Sequence, residues 1–126
     1  MGDDDEMWMI TAIIQPFKLD AVVLALQGLD EPVGMTVSDC RGFGRSRAPA
    51  SLSTSATGKV GTDDVVDFSP KVRLEIALNG GERAGKIATA VANAARTGRK
   101  GDGKVFVSRL TDAIRIRTAD VGRNAL

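Results

Sequence analysis

A helical pattern ends and a strand begins within one stretch of the chain, Thr97-Gly98-Arg99-Lys100-Gly101-Asp102-Gly103-Lys104-Val105-Phe106-Val107. Before this stretch, apolar residues recur at helical spacing and predict a helix over about residues 82–96. Gly98 occupies a position that is typical of a glycine at a helix end. The apolar residues 105–110 predict a strand. The stretch therefore joins a helix to a strand through a glycine-rich loop. The helical apolar residues are Ala84, Ile87, Ala88, Val91, Ala94 and Ala95.

The remaining patterns extend this helix and strand into two β-α-β units. Residues 8–14 are predicted to form a strand, Pro16 begins a helix that continues to about Leu29, and residues 35–40 form a second strand. Residues 72–78 form the strand that precedes the second helix. The order βαββαβ is the ferredoxin-like split β-α-β arrangement of the α+β class. It predicts a four-stranded antiparallel sheet with two helices on one face, and oligomerisation is the simplest way to bury the other face.

The composition limits the classes of function open to the chain. Its 126 residues and 43% hydrophobic content predict one domain with its own core. Because 17 basic residues nearly balance 16 acidic ones, no general attraction to nucleic acid or membranes is expected. The absence of histidine excludes Ser-His, Cys-His and histidine-based zinc sites. Cys40 is the only cysteine and is predicted to be a small buried hydrophobe. With no signal peptide and no long apolar run, a cytoplasmic location is expected.

The loop 98–104 has the composition of a phosphate-binding site. Glycines allow backbone N–H groups to gather around an anion, and basic side chains add positive charge beside them. Downstream, residues 113–117 are predicted to form a short extra strand in which Arg115 and Arg117 share one face. An ordinary tight turn and a solvated strand face have the same local patterns, so these residues alone leave both interpretations open. The basic residues of the loop are Arg99, Lys100 and Lys104.

Five blocks in order between Met9 and Thr118 resemble the PII signal-transduction family. The first is Ala12-Ile13-Ile14-Gln15-Pro16-Phe17-Lys18-Leu19-Asp20. The second comprises Gly34-Met35-Thr36-Val37 and Arg41-Gly42-Phe43-Gly44-Arg45, the base of the family's mobile T-loop. The far side of that loop matches Val66-Asp67-Phe68 and Pro70-Lys71-Val72. The glycine-rich stretch and Ile114-Arg115-Ile116-Arg117-Thr118 complete the series.

The resemblance implies a nucleotide-sensing regulatory protein and not an enzyme. Members of the family form compact homotrimers that bind ATP or ADP in clefts between adjacent subunits. Their T-loops act on a partner, which here is expected to be a regulated enzyme or a membrane transporter in nitrogen or carbon metabolism. The family's nucleotide-binding positions correspond to Thr36, Phe43, Gly44, Arg45, Glu75, Ala77, Gly101, Asp102, Gly103, Lys104, Arg115 and Arg117.

The chain departs from the family's pattern in the T-loop. The family commonly has a glutamine after the Phe-Gly-Arg at the loop base, which helps to hold Mg²⁺ and 2-oxoglutarate. Here that position is the shorter Ser46, whereas Lys71 retains the lysine that contacts 2-oxoglutarate. We therefore expect weak or absent binding of 2-oxoglutarate, and the role of Mg²⁺ stays open. The tyrosine that many bacterial members use for uridylylation is also absent, because the chain has no tyrosine.

These departures leave an alternative within the regulatory class, a divergent PII-like regulator of a transporter or a non-nitrogen enzyme. Such a protein would respond to another small anion, such as bicarbonate. A small enzyme is disfavoured because histidine, paired carboxylates and a nucleophile motif are all missing. A nucleic-acid-binding module is disfavoured because stacking on the sheet would need more aromatic residues than the strands offer.

The expected domain boundaries follow from charge and periodicity. Residues 1–7 form an acidic, disordered tail, and residues 8–118 form the PII-like domain. Within it, residues 44–64 form the T-loop, which lacks any periodic pattern. Residues 119–126 form a C-terminal tail.

Overall fold

The computed structural model describes residues 6–31, 33–43 and 68–126 of the chain. A 3-10 turn, Pro16–Lys18, leads into the first helix, and another, Gly122–Ala125, lies near the C-terminus. Sequence patterns place the two helices and the four strands of the sheet correctly, and the observed bounds differ from the predicted ones by at most three residues. The elements are β1 (Met7–Ile14), α1 (Leu19–Gln27), β2 (Thr36–Gly42), β3 (Ser69–Asn79), α2 (Gly81–Ala95) and β4 (Gly103–Leu110).

The strands form one sheet in the order β2-β3-β1-β4, and every neighbouring pair is antiparallel. Both inner strands are long: β3 spans 11 residues and pairs with β2 and β1, while β1 pairs along its whole length with β4. This confirms the predicted ferredoxin-like fold. The two connections through helices place α1 and α2 beside each other against the sheet.

Alternation along β1 and β3 builds the core between the sheet and the helices. Side chains that are neighbours across the two strands, such as Ile10 and Ile76, are fully buried. From the helices, Val22, Leu26 and Val91 pack against them. Each fully buried aliphatic side chain of this size stabilises the fold by about 1.5–3 kcal/mol of hydrophobic free energy. The core is aliphatic, as expected from a chain with so few aromatic residues.

The opposite face of the sheet has no cover from the described part of the chain. Along β1 this face carries Met9, Thr11 and Ile13, which are only partly buried. Across β1 from Thr11, Phe106 on β4 is 53% exposed. Apolar side chains left in this position are typical of a surface that meets another molecule.

Local signals explain where the helices begin. Pro16 lies at the first position of the turn that precedes α1, where a missing N–H removes no hydrogen bond. Gly80 precedes α2 with a φ of 99°, and its N–H donates to the Glu6 carbonyl at 2.8 Å. Within the described residues, neither helix combines the length and the apolar character needed to cross a bilayer.

The strand predicted at residues 113–117 is wrong. Ile114 makes one isolated bridge with Val121, and the residues that follow Ile114 form a turn. Alternation places side chains on one face only where the backbone stays extended, and here the chain reverses. Arg115 and Arg117 are therefore exposed on a turn and do not share a strand face.

The C-terminal residues 119–126, expected to be a tail, are mostly exposed but are attached to the rest of the fold. Ala125 is buried, and the Asn79 side-chain amide donates to the carbonyl of Arg123 at 3.2 Å. This contact attaches the C-terminal residues to the end of the sheet at which β3 finishes. Cys40, predicted to be buried, is partly exposed on the uncovered face of β2.

Candidate functional site

One end of the sheet brings together the two segments in which the sequence predicts ligand binding. At this end Gly42 of β2 pairs with Ser69 of β3, and Ile14 of β1 pairs with Gly103 of β4. Residues 44–67 connect β2 to β3 and lie outside the described residues. They include Gly44, Arg45 and Ser46 of the predicted site. The glycine loop, which we define as residues 97–103, enters the same end from α2. The base of the T-loop and the glycine loop are thus neighbours.

Asp102 shapes the glycine loop from inside. Its carboxylate accepts hydrogen bonds from the backbone N–H groups of Thr97 at 2.8 Å and Gly98 at 2.9 Å, and from the Thr97 hydroxyl. The Thr97 hydroxyl oxygen in turn accepts from the N–H of Arg99 at 3.1 Å. The side chain of Asp102 therefore faces its own loop, so any contact of Asp102 with a ligand would come from its backbone N–H.

These hydrogen bonds lower the pKa of the Asp102 carboxyl below its ordinary value of 3.8. The largest cause is the Thr97 hydroxyl, followed by the Thr97 N–H, while desolvation opposes the shift. The Gly98 N–H and the positive charge of Lys18 lower the pKa further. Donors that face a carboxylate favour its charged form. The loop is thus held by an ionised carboxylate at neutral pH.

Gly103 allows the glycine loop to enter the sheet. A Cβ at this position would lie 1.7 Å from the carbonyl oxygen of Ile13 and 2.8 Å from its carbon, and the φ is 101°. Both distances involve backbone atoms of the central strand β1, which a side-chain rotation cannot move. Gly101 and Gly98 also have positive φ values, of 92° and 89°, so the loop adopts a backbone path that glycine accommodates without strain.

Lys71 joins the glycine loop to the base of the T-loop. Its ammonium donates to the carbonyl of Gly101 at 2.6 Å. Its Cγ lies 3.4 Å from where a Cβ of Gly42 would stand, and its backbone pairs across strands with Cys40. The amide nitrogen of Gln15 reaches the same place, 3.0 Å from where a Cβ of Gly101 would stand.

Positively charged side chains surround the glycine loop, and none of them forms an ion pair with another described residue. Lys104 follows Gly103 and is exposed beside Ile13, while Arg99 and Lys100 are exposed at the loop tip. A shallow cavity of about 320 Å³ lies between the end of α2 and the start of β4. Its polar lining includes Arg96, Asp102 and Lys104. Among the described residues, no cluster of histidine, cysteine, aspartate or glutamate could hold a metal ion.

An aromatic pair brackets residues 44–67, the connection between β2 and β3 that contains the T-loop. The rings of Phe43 and Phe68 are 5.6 Å apart between centroids, at an angle of 52°. Phe43 follows the last residue of β2, and Phe68 precedes the first residue of β3. Tilted aromatic pairs at this separation attract each other. The pair therefore holds the end of β2 close to the start of β3, directly beyond the last strand pairing.

Three other predicted site residues lie further along the uncovered face. Thr36 pairs with Glu75, which forms an ion pair with Arg73 at 3.0 Å. Ala77 lies two residues beyond Glu75 on the same face of β3. With a rise of about 3.3 Å per residue, Glu75 is about 13 Å from Lys71 along the strand. These residues are thus separate from the glycine loop but face the same side of the sheet.

Arg115 and Arg117 do not meet the glycine loop of the same chain. The turn that carries them follows Leu110, which pairs with Met7 at the opposite end of β1 from Gly103. The eight-residue β4 separates the two ends by about 23 Å. Among the described residues, no hydrogen bond or ion pair joins either arginine to the loop. The single chain therefore presents only part of the predicted nucleotide site.

Sequence reasoning did not single out Thr97 or Gln15 as parts of the site. Thr97 lies in the motif itself, and the spacing of a threonine five residues before an aspartate is compatible with a side-chain clasp. Gln15 ends β1 immediately before Pro16, and no local pattern indicates that its side chain reaches Gly101. That contact depends on how β1 and β4 pair.

In this fold a glycine loop lies beside the base of a long loop, at one end of a ferredoxin-like sheet. The comparison with known families agrees with this arrangement. The family model for nitrogen regulatory protein P-II matches residues 7–120. The chain belongs to the PII family. It is 47% identical over 122 residues to the nitrogen regulatory protein P-II of Rhizobium meliloti, covering 95% of this chain and all of that protein. The Bradyrhizobium diazoefficiens protein is 46% identical with the same coverage.

Solved structures of PII proteins have the same fold. The crystal structure of Arabidopsis thaliana PII bound to citrate superposes with a TM-score of 0.71 at 32% identity, covering 98% of this chain and 94% of that one. The B. subtilis GlnK–ATP complex gives a TM-score of 0.70 at 20% identity, covering 97% and 99%. As a PII protein, the chain is a regulatory protein and not an enzyme, which confirms the prediction from sequence.

Proposed function

We propose that this PII protein senses adenine nucleotides, ATP or ADP, and controls a partner protein through its T-loop. The observation that carries the proposal is the glycine loop, which Asp102 and Lys71 hold in place beside the base of the T-loop. Backbone N–H groups and nearby lysines suit the phosphates of a nucleotide, which carry several negative charges. The adenine would lie toward Thr36, Glu75 and Ala77 on the uncovered face.

The relatives support a polyanionic ligand. Of the two solved PII structures compared above, one is a complex with ATP and the other is bound to citrate. A nucleotide that favours one arrangement of the T-loop base over another shifts the population that a partner recognises. The partner is an enzyme or a membrane transporter of nitrogen or carbon metabolism, and the regulator acts in the cytoplasm.

We further propose that the nucleotide site is completed by an adjacent subunit of a homotrimer. Two observations support this assembly. Arg115 and Arg117 stand far from the glycine loop of their own chain, and the turn that carries them exposes Ile114 and Ile116, the latter by 97%. An adjacent subunit would cover these isoleucines and the uncovered sheet face, and would bring its arginines to the phosphates.

Light scattering at micromolar concentration is expected to give three times the chain mass of 13.2 kDa, or about 40 kDa. Ile116→Asp places a charge in the proposed interface and is expected to shift the mass toward a monomer. Leu24→Asp is the matched control, because Leu24 is 68% exposed on the outer face of α1, and it should leave the mass unchanged. A monomeric wild type would contradict the assembly.

Calorimetry tests the nucleotide proposal directly. ATP and ADP are expected to bind without turnover, and Lys104→Ala is expected to weaken both about fivefold to tenfold, because an exposed charge-assisted contact is lost. Lys86→Ala removes the same charge from the outer face of α2 and should leave both affinities unchanged. Unaltered nucleotide affinity in Lys104→Ala would contradict the site.

The same titrations address the effector. We propose that 2-oxoglutarate binds weakly or not at all to the protein saturated with Mg-ATP, because a dicarboxylate beside a triphosphate needs a well-held cation between them. Ser46 has too short a side chain to replace a glutamine as a ligand of that cation. Micromolar binding of 2-oxoglutarate by the wild type would contradict this proposal without affecting the nucleotide site.

A further inference from the structure

We infer that Lys71 is a positioning residue for nucleotide phosphates, a role that requires no second effector. The inference rests on the proposed nucleotide function, and it differs from the contact with 2-oxoglutarate that the family resemblance assigns to this lysine. What carries it is the hydrogen bond between the Lys71 ammonium and the Gly101 carbonyl, 2.6 Å long, which crosses from β3 to the glycine loop.

The bond fixes the direction of one peptide group in the loop. In a planar trans peptide the C=O and the following N–H point in opposite directions. Because Lys71 holds the carbonyl of Gly101, it also directs the N–H of Asp102 to the other side of the peptide. That N–H is then a donor that the loop can offer to an anion, whereas the Asp102 carboxylate is engaged with Thr97 and Gly98.

Among the described residues, the Lys71 ammonium is the one group that donates to the Gly101 carbonyl, while the Asp102 carboxylate anchors the other end of the peptide. Gly101 has a φ of 92° and no side chain, so rotation of the peptide meets little steric resistance. A rotated peptide would present a carbonyl oxygen in place of an N–H and would repel a phosphate. The Asp102 carboxylate fixes residues 97 and 98, which lie on the other side of the loop tip. Lys71 therefore supplies a restraint that the loop itself lacks.

The position of Lys71 in β3 also links this restraint to the base of the T-loop. Its stem lies against Gly42 and its backbone pairs with Cys40. Lys71 therefore belongs to the pair of strands, β2 and β3, between which the T-loop lies in the chain. A movement of the T-loop base would move the ammonium and release the peptide between Gly101 and Asp102. Nucleotide affinity and the position of the T-loop base are coupled through one side chain.

The test compares Lys71→Met with Lys71→Arg in the full-length protein, without 2-oxoglutarate. Methionine keeps the apolar stem beside Gly42 and removes the donor, whereas arginine keeps a donor. We expect Lys71→Met to weaken ATP binding about fivefold, the range for a partly exposed charge-assisted hydrogen bond, and Lys71→Arg to recover part of the loss. Lys86→Met is the control for charge and should bind ATP like the wild type.

Amide hydrogen exchange in the nucleotide-free protein separates positioning from a direct charge effect. Release of the peptide between Gly101 and Asp102 should loosen the Asp102 carboxylate, so the expected result is faster exchange at Thr97 and Gly98, whose N–H groups donate to that carboxylate, in Lys71→Met but not in Lys86→Met. Unchanged ATP affinity, or weaker binding with unchanged exchange, would overturn the inference. If neither the wild type nor Lys104→Ala binds ATP, the proposed function fails. The exchange data then still report whether Lys71 holds the loop.

Discussion

Gly103→Ala is expected to destabilise the protein by about 3 kcal/mol or more and to abolish detectable binding of ATP. The new Cβ would lie 1.7 Å from the carbonyl oxygen of Ile13, at a φ of 101°. Relief of this overlap requires β4 to move away from β1, which breaks the ladder that holds the glycine loop at the sheet end. The measurement is urea unfolding at a fixed protein concentration, since unfolding of an oligomer depends on concentration.

Gly98→Ala provides the matched control for the backbone conformation. Gly98 has a φ of 89°, close to that of Gly103, but no atom lies within 4 Å of where its Cβ would stand. It should therefore show only the conformational cost of a non-glycine residue at positive φ, about 1–2 kcal/mol. Equal losses of stability in the two variants would show that the overlap with β1 has no effect.

Asp102→Asn is expected to weaken ATP binding about thirtyfold at neutral pH, because three hydrogen bonds that shape the glycine loop depend on the carboxylate. The amide oxygen can replace the one carboxylate oxygen that accepts from both N–H groups. The NH₂ group then takes the place of the oxygen that accepts from the Thr97 hydroxyl, and the negative charge that strengthens all three bonds is lost. The expected order of affinity is wild type, then Thr97→Ser, then Thr97→Val, since serine keeps the hydroxyl donor. Calorimetry with ATP measures this series, and unchanged affinity in Asp102→Asn would contradict the role of the clasp.

The sign of the pH dependence follows from the lowered pKa of Asp102. A carboxyl whose pKa is lower in the folded state stabilises the fold at all pH values above its unfolded pKa, about 3.8, and loses that contribution as pH falls through the folded value. The difference in stability between wild type and Asp102→Asn should therefore be constant from pH 8 to pH 5 and shrink only under stronger acid. A difference that disappears already at pH 6 would assign it to another group.

The sequence by itself determined the order and type of the main elements. Aliphatic residues at helical spacing, as in residues 84–95, and alternating ones, as in residues 72–78, each match one secondary structure, because burial selects every side chain on one face. The same local reasoning identified the glycine loop and, with the family resemblance, the PII fold. It was wrong at residues 113–117, where alternation over so few residues could not distinguish a strand from a turn.

Only the tertiary structure decided which of these residues work together. The antiparallel register places the glycine loop beside the base of the T-loop and joins Lys71 to Gly101. The register brings the Ile13 carbonyl so close to Gly103 that only a glycine fits there. It also places Arg115 and Arg117 at the far end of the sheet, which is why we propose that an adjacent subunit completes the site. Such contacts depend on strand pairing between residues far apart in the chain, and a local pattern contains no information about which residues will face each other.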